Sequence, residues 1–156
     1  MRKLSGVAIC LALFASLAMA QSKLETKWHC LKPKTEQKLD VGDVADHSYV
    51  IAQGVCSATS SNIGEKTGAY TEFREDWKAS FTNHGRFNVT MDNGDKAYYT
   101  YEGTASPAKK TAANKWRILS GTGKHKGVKG SGTCSGTLLD DGRSDWVCSG
   151  TTSMGK

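Results

Sequence analysis

Glu75 stands two residues from Phe73 and two from Trp77, in a run from Tyr70 to Phe81 that alternates apolar and polar side chains. Alternate residues of an extended chain share a face. One side therefore holds Phe73, Glu75, Trp77, Ala79 and Phe81, and the other Glu72, Arg74, Asp76, Lys78 and Ser80. The first side is expected to face inward, with a single carboxyl among its rings. Burying that carboxyl as an ion is costly, so its pKa rises or it finds a partner. A poised acid in an apolar cavity can donate a hydrogen bond or move a proton, which makes Glu75 the candidate catalytic residue. The plainer reading is an acid at the rim of the domain, solvated or paired with arginine, because structural ion pairs produce the same pattern.

A second acid depends on a turn. Asn83-His84-Gly85 is expected to reverse the chain, after which Phe87, Val89 and Met91 resume the apolar face. Asn93-Gly94 then marks a hairpin. A two-residue loop there sets Val89 against Tyr98 and Phe87 against Thr100. It directs Tyr98, Thr100 and Glu102 inward, and Tyr99 and Tyr101 outward. A three-residue loop reverses every one of these assignments. With Glu102 inside, Glu75 would gain a partner for acid–base work of the glycosidase kind. Phe73, Trp77, Phe87, Val89, Tyr98, Glu102 and Trp116 are the expected ligand-lining residues. Trp28, Trp146 and Phe81 add further large rings, which either line a cavity or fill the core.

Other chemistries find no footing. His29, His47, His84 and His125 are scattered without ligand spacing, and no Cys-x-x-Cys or His-x-x-x-His pattern exists, so no metal is expected. There is no Gly-x-Ser-x-Gly elbow. Lys124-His125-Lys126 with Lys129 forms a cationic loop among glycines that could meet an anion, but it lacks the Gly-Lys-Ser/Thr ending of a phosphate-binding loop. It reads as a turn. No cofactor is expected.

Residues 1–20 read as a secretory signal: Arg2 and Lys3, an apolar run from Val7 to Leu17, and Ala18-Met19-Ala20 before a mature start at Gln21. The run is too short for a good membrane span, and no other stretch is apolar enough to be one. The remainder, residues 21–156, is sized for one domain. Without the signal the net charge is about +4, its lysines interleaved with acids, which fits a solvated surface and excludes a nucleic-acid stripe. Of the five cysteines, Cys10 lies in the signal. Cys30, Cys56, Cys134 and Cys148 are expected to form two disulfides in a periplasmic or secreted protein.

Short alternating runs punctuated by Gly, Asn and Asp predict an all-β domain. Strands are expected near Lys23–Leu31 and Ser48–Cys56, with Lys32–Asp46 as a long polar connection. Another strand opens at Trp116, and the last pair flanks Leu139–Arg143. A turn centred on Asp141 sets Cys134 opposite Cys148, close enough for a bridge, and favours Cys30–Cys56 as the other. The rival pairing joins Cys30 to Cys148 across a barrel closure. Seven or eight strands in neighbour order leave two edges unless the sheet closes. A single antiparallel eight-stranded barrel follows, wide enough for side chains or one small ligand.

The stretch Gly121-Thr122-Gly123-Lys124-His125-Lys126-Gly127-Val128-Lys129-Gly130-Ser131-Gly132-Thr133 resembles the G-x-G-[KR]-[FY]-x-G-[AI]-x-G-x-G signature of the allene oxide cyclase and dirigent-like, calycin-like barrels and of bacterial relatives. Asp92-Asn93-Gly94-Asp95-Lys96, followed by an aromatic strand and Glu102-Gly103, resembles a feature of those relatives. His125 departs from the usual aromatic. The resemblance implies an eight-stranded barrel with an apolar cavity, cofactor-free chemistry where there is chemistry, and often an oligomer. In the plant cyclases a cavity acid and aromatic side chains hold a strained fatty-acid epoxide. The leading functional expectation is a non-catalytic secreted or periplasmic barrel that binds a small apolar or amphipathic ligand. The alternatives are a cofactor-free isomerase or cyclase with Glu75 as its acid, and a filled barrel that serves protein interaction.

Overall fold

The computed structural model describes residues 21–155, so the expected signal lies outside the described residues. The strands are β1 (Ser22–Cys30), β2 (Thr35–Asp40), β3 (Ser48–Ser61), β4 (Glu65–Trp77), β5 (Ser80–Met91), β6 (Lys96–Ser106), β7 (Thr111–Gly121), β8 (Val128–Leu138) and β9 (Ser144–Met154). From β3 to β9 each pairs antiparallel with the next, β9 pairs with β1, and β1 pairs with β3. That last pairing closes the ring. Eight strands, β1 and β3 to β9, form the expected barrel. Among the described residues no helix is long and apolar enough to cross a membrane.

The ninth strand corrects one expectation. β1 and β2 both run antiparallel to β3, β1 against residues 56–61 and β2 against residues 48–53. They are two halves of one line, joined by a crossing in which Leu31 N–H donates to Val55 O at 3.0 Å and Lys34 N–H to Gln53 O at 2.7 Å. The Lys32–Asp46 segment therefore holds a strand. Every residue of β2 is exposed, so no apolar face announces it in the sequence.

A second correction concerns faces. β4 turns into β5 through Lys78-Ala79, with Trp77 opposite Ser80, and Asn83, His84 and Gly85 lie inside β5 instead of turning the chain. In this register Arg74 faces Asn83, Glu72 faces Gly85 and Tyr70 faces Phe87. Directly paired residues share a side. Once Phe87, Val89 and Met91 point inward, Glu72 and Arg74 must follow. Phe73, Glu75 and Trp77 consequently face outward, contrary to the alternation read from the sequence, and Phe73 is 50% and Trp77 44% exposed. Each ring finds a partner outside: Trp77 stacks on His47 with centroids 3.7 Å apart, and Phe73 on His84 at 5.6 Å.

The Asn93-Gly94 hairpin uses the three-residue alternative. Gly94 N–H donates to Met91 O at 3.0 Å and Met91 N–H to Asp95 O at 2.9 Å, with Gly94 at φ +85°. Glycine is the residue that takes this left-handed backbone without strain. The added residue points Tyr99 and Tyr101 inward, so Tyr98 and Glu102 face outward and leave the expected ligand-lining set.

Both disulfides bridge directly opposed residues, Cys30–Cys56 on the closing β1–β3 pair and Cys134–Cys148 on β8–β9. The packed core lies at one end, where Leu24, Val89, Met91, Ala97 and Ile118 meet. The two glycine turns close that end together. Asp95 Oδ2 accepts from Lys124 N–H at 2.9 Å, and Lys96 N–H donates to Thr122 Oγ1 at 2.8 Å. Both stretches that carry the family resemblance thus build the closed end.

Candidate functional site

The other end of the barrel is hollow. A cavity of about 470 Å³ runs inward from the turns at Leu31–Pro33, Pro107–Lys110 and Leu139–Arg143. Small-ligand sites commonly span roughly 300–1,000 Å³. The deeper wall is aromatic: Trp28 meets Phe87 edge-on at 4.9 Å, and Tyr99 meets Trp116 at 5.6 Å. Tyr70, Tyr101 and Trp146 extend it, and both disulfides lie on it. The rings have room because glycines stand beneath them. A methyl group at Gly68 would overlap the Phe87 ring, and one at Gly132 or Gly150 the Trp116 ring.

One patch of the wall is polar. Glu72 on β4 accepts from Asn83 Nδ2 on β5 and from the Tyr101 hydroxyl on β6, each at 3.1 Å to Oε2. Arg74, two residues along β4 on the same face, spans Asp76 (Nε to Oδ1, 3.2 Å) and Glu36 of β2 (3.3 Å), and its Nη1 lies 3.9 Å from Glu72 Oε1. Its guanidinium sits 5.0 Å from the centroid of the Phe81 ring. Burial pushes the Glu72 carboxyl above the usual range, against the pull of Asn83, Arg74 and Tyr101. Burial and the Glu72 charge push Tyr70 up to about 12 and also raise Tyr101. Burial would lower Arg74, but its three carboxylate neighbours outweigh that and raise it.

A hydrogen-bonded acid within an aromatic cavity can hold a polar ligand group or exchange a proton with it. Among solved structures, the pterocarpan synthase dirigent protein superposes on this chain with a TM-score of 0.55, over 97% of this chain and 98% of that one, at 10% sequence identity. The fold is a dirigent-type barrel. No protein-family model matches the chain, and no curated protein does.

Within this barrel the sequence-predicted residues divide. Phe87 and Trp116 line the cavity. Val89, 1% exposed, is packed in the closed-end core. Phe73, Glu75, Trp77, Tyr98 and Glu102 lie on the outside of the sheet. Glu75 belongs to a different cluster, where its Oε1 is 3.1 Å from His47 Nε2 and accepts from the Tyr49 hydroxyl at 3.3 Å. His47 Nδ1 faces Asp43 Oδ1 at 2.6 Å. A carboxylate on each nitrogen favours the doubly protonated ring, in which both nitrogens donate. Burial pulls its pKa down, but Asp43 and Glu75 outweigh that and raise it. The cluster fastens the β2–β3 connection to β4.

The alternation argument missed Glu72, Arg74, Asn83 and Tyr101, and with them Asn114 of β7, which also lines the cavity. One signal pointed to the first three: Phe87, Val89 and Met91 fix the inner face of β5, which Asn83 shares, and a tight turn at Lys78-Ala79 carries that choice to Glu72 and Arg74. A second carboxyl, Glu65, is enclosed at the closed end. It accepts from the hydroxyls of Thr26 and Tyr99, the latter at 2.6 Å, and burial raises its pKa.

Proposed function

We propose that this protein is an exported, periplasmic or secreted barrel that binds one small apolar or amphipathic molecule in its cavity. The observation that carries this reading is the open aromatic cavity with one converging polar patch, since a barrel serving only as scaffold would be filled from end to end. Export agrees with the signal-like residues 1–20 and the two disulfides. The apolar body of the ligand packs between Trp28, Phe87, Tyr99 and Trp116, and its polar group meets Glu72, Asn83 and Tyr101.

Titration with the neutral fluorophore N-phenyl-1-naphthylamine tests the reading. Saturable uptake of one molecule per chain, reduced by Ala112→Trp at the cavity wall, is expected. No saturable uptake would refute it. A second reading, cofactor-free isomerisation, rests on the raised pKa of Glu72 beside Tyr101 and moves the acid's role from Glu75 to Glu72. Glu72→Gln separates the two, because a binder keeps its hold on a neutral ligand whereas an enzyme loses turnover.

A further inference from the structure

The polar patch is unbalanced in charge and in hydrogen bonding. Three carboxylates, Glu36, Glu72 and Asp76, share the single guanidinium of Arg74, which already donates to Glu36 and Asp76. Glu72 Oε1 accepts no hydrogen bond among the described residues, since Arg74 Nη1 stays at 3.9 Å. Asn83 is 8% exposed and spends its amide nitrogen on Glu72, which leaves its Oδ1 without a donor. Asn114 Oδ1 is a second buried acceptor with none. Asn83 and Asn114 flank Gly103 in one row of the sheet, on the cavity wall. The missing side chain at Gly103 lets the Asn114 amide lie across the gap between them.

Buried acceptors without donors are costly, and native proteins rarely leave several together. This wall presents two, with the unbonded Glu72 Oε1 and an excess of negative charge beside them. A carboxylate ligand would add repulsion and supply no donor. A hydroxyl supplies one donor, whereas an alkylammonium supplies up to three and the missing positive charge as well. Aromatic faces around it favour a cation further.

We propose that the cavity selects an apolar amine, bound as its ammonium, with the charged nitrogen against Glu72 and the Asn83 and Asn114 carbonyl oxygens. This rests on the cavity being a ligand site, and the test keeps the two claims apart. Three probes share one apolar body: 2-(1-naphthyl)ethylammonium, 2-(1-naphthyl)ethanol and 1-naphthylacetate. Each is titrated into the unmodified protein at pH 7 by calorimetry. The ammonium is expected to bind about tenfold or more tighter than the alcohol, the difference a charge-assisted hydrogen bond makes, with the carboxylate weakest. Glu72→Gln, close to isosteric, should abolish the preference for the ammonium, weakening the ammonium by about tenfold or more relative to the alcohol. An alcohol that binds as tightly as the ammonium, or a carboxylate that binds tightest, overturns the amine assignment and leaves the cavity reading intact. If none of the three binds, both fall. The ranking on the unmodified protein stands whether or not the variant folds.

Discussion

Replacing Tyr99 by phenylalanine removes one of the two hydroxyls that Glu65 accepts from at the closed end, and the loss should depend on pH. The Glu65 carboxyl is buried, its Oε1 is 2.6 Å from the Tyr99 hydroxyl, and no cation pairs with it among the described residues. Its folded pKa is raised above the ordinary 4.5 by burial. Above pH 4.5 the folded state thus holds a proton that the unfolded chain has released. Stability from this group is fully present below that pH and is lost as pH rises through the folded value. At pH 4 the acid is neutral in both states, and deleting the hydroxyl costs an ordinary hydrogen bond, about 1 kcal/mol. Above the folded value the carboxylate is charged and the donor is worth about 2 kcal/mol. For a domain of this size that is a fall in Tm of roughly 6–10 °C once pH has passed the folded value, and about half that at pH 4. Differential scanning calorimetry of Tyr99→Phe and the parent across about pH 4 to 9 measures it. A loss that stays constant over that whole range, or no loss, would refute the assignment of Glu65 as a buried carboxyl held by hydroxyl donors. Glu65→Gln should flatten the same pH dependence.

Other perturbations reach other parts of the molecule. Disulfide-free variants should rank by loop length: Cys134→Ser/Cys148→Ser opens a loop with a separation of 14 residues and should cost about 3 kcal/mol, and Cys30→Ser/Cys56→Ser, at 26, about 3.5 kcal/mol, both read from urea unfolding. His47→Asn should destabilise more at pH 6 than at pH 8, because the raised pKa gives a contribution present below about 6.5 and lost as pH climbs through the folded value; thermal unfolding of both proteins shows the difference. Gly132→Ala sets a methyl group against the Ser149 carbonyl and the Trp116 ring, and should lower stability by about 2 kcal/mol or more in denaturant titrations. Glu75→Gln should leave uptake of the naphthylamine probe unchanged, since this side chain lies outside the barrel; a loss of uptake would contradict its placement.

The barrel was legible because turn residues and strand-length alternation recur along the whole chain, and the turn about Asp141 alone brought Cys134 opposite Cys148. The facing of individual side chains was not, for a reason of parity. In a strand one residue of slip exchanges inside for outside. Asn93-Gly94 serves a two- or a three-residue loop, and only the second turns Tyr99 and Tyr101 inward. The run from Phe73 to Trp77 misled more strongly, because its apolar members cover the outside against His84 and His47 while Glu72 and Arg74 enter the cavity. A hydrophobic pattern marks the interior only where the interior is apolar, and here part of the interior is a charged patch. β2, exposed along its whole length, carried no pattern to read.

The central claim is that the cavity holds a small molecule, and native mass spectrometry of the protein purified from its own host under gentle conditions tests it most directly. The expected spectrum shows a one-to-one adduct that is lost on acid denaturation and absent from Ala112→Trp. A bare polypeptide mass, in protein that also fails to take up N-phenyl-1-naphthylamine, would contradict the account.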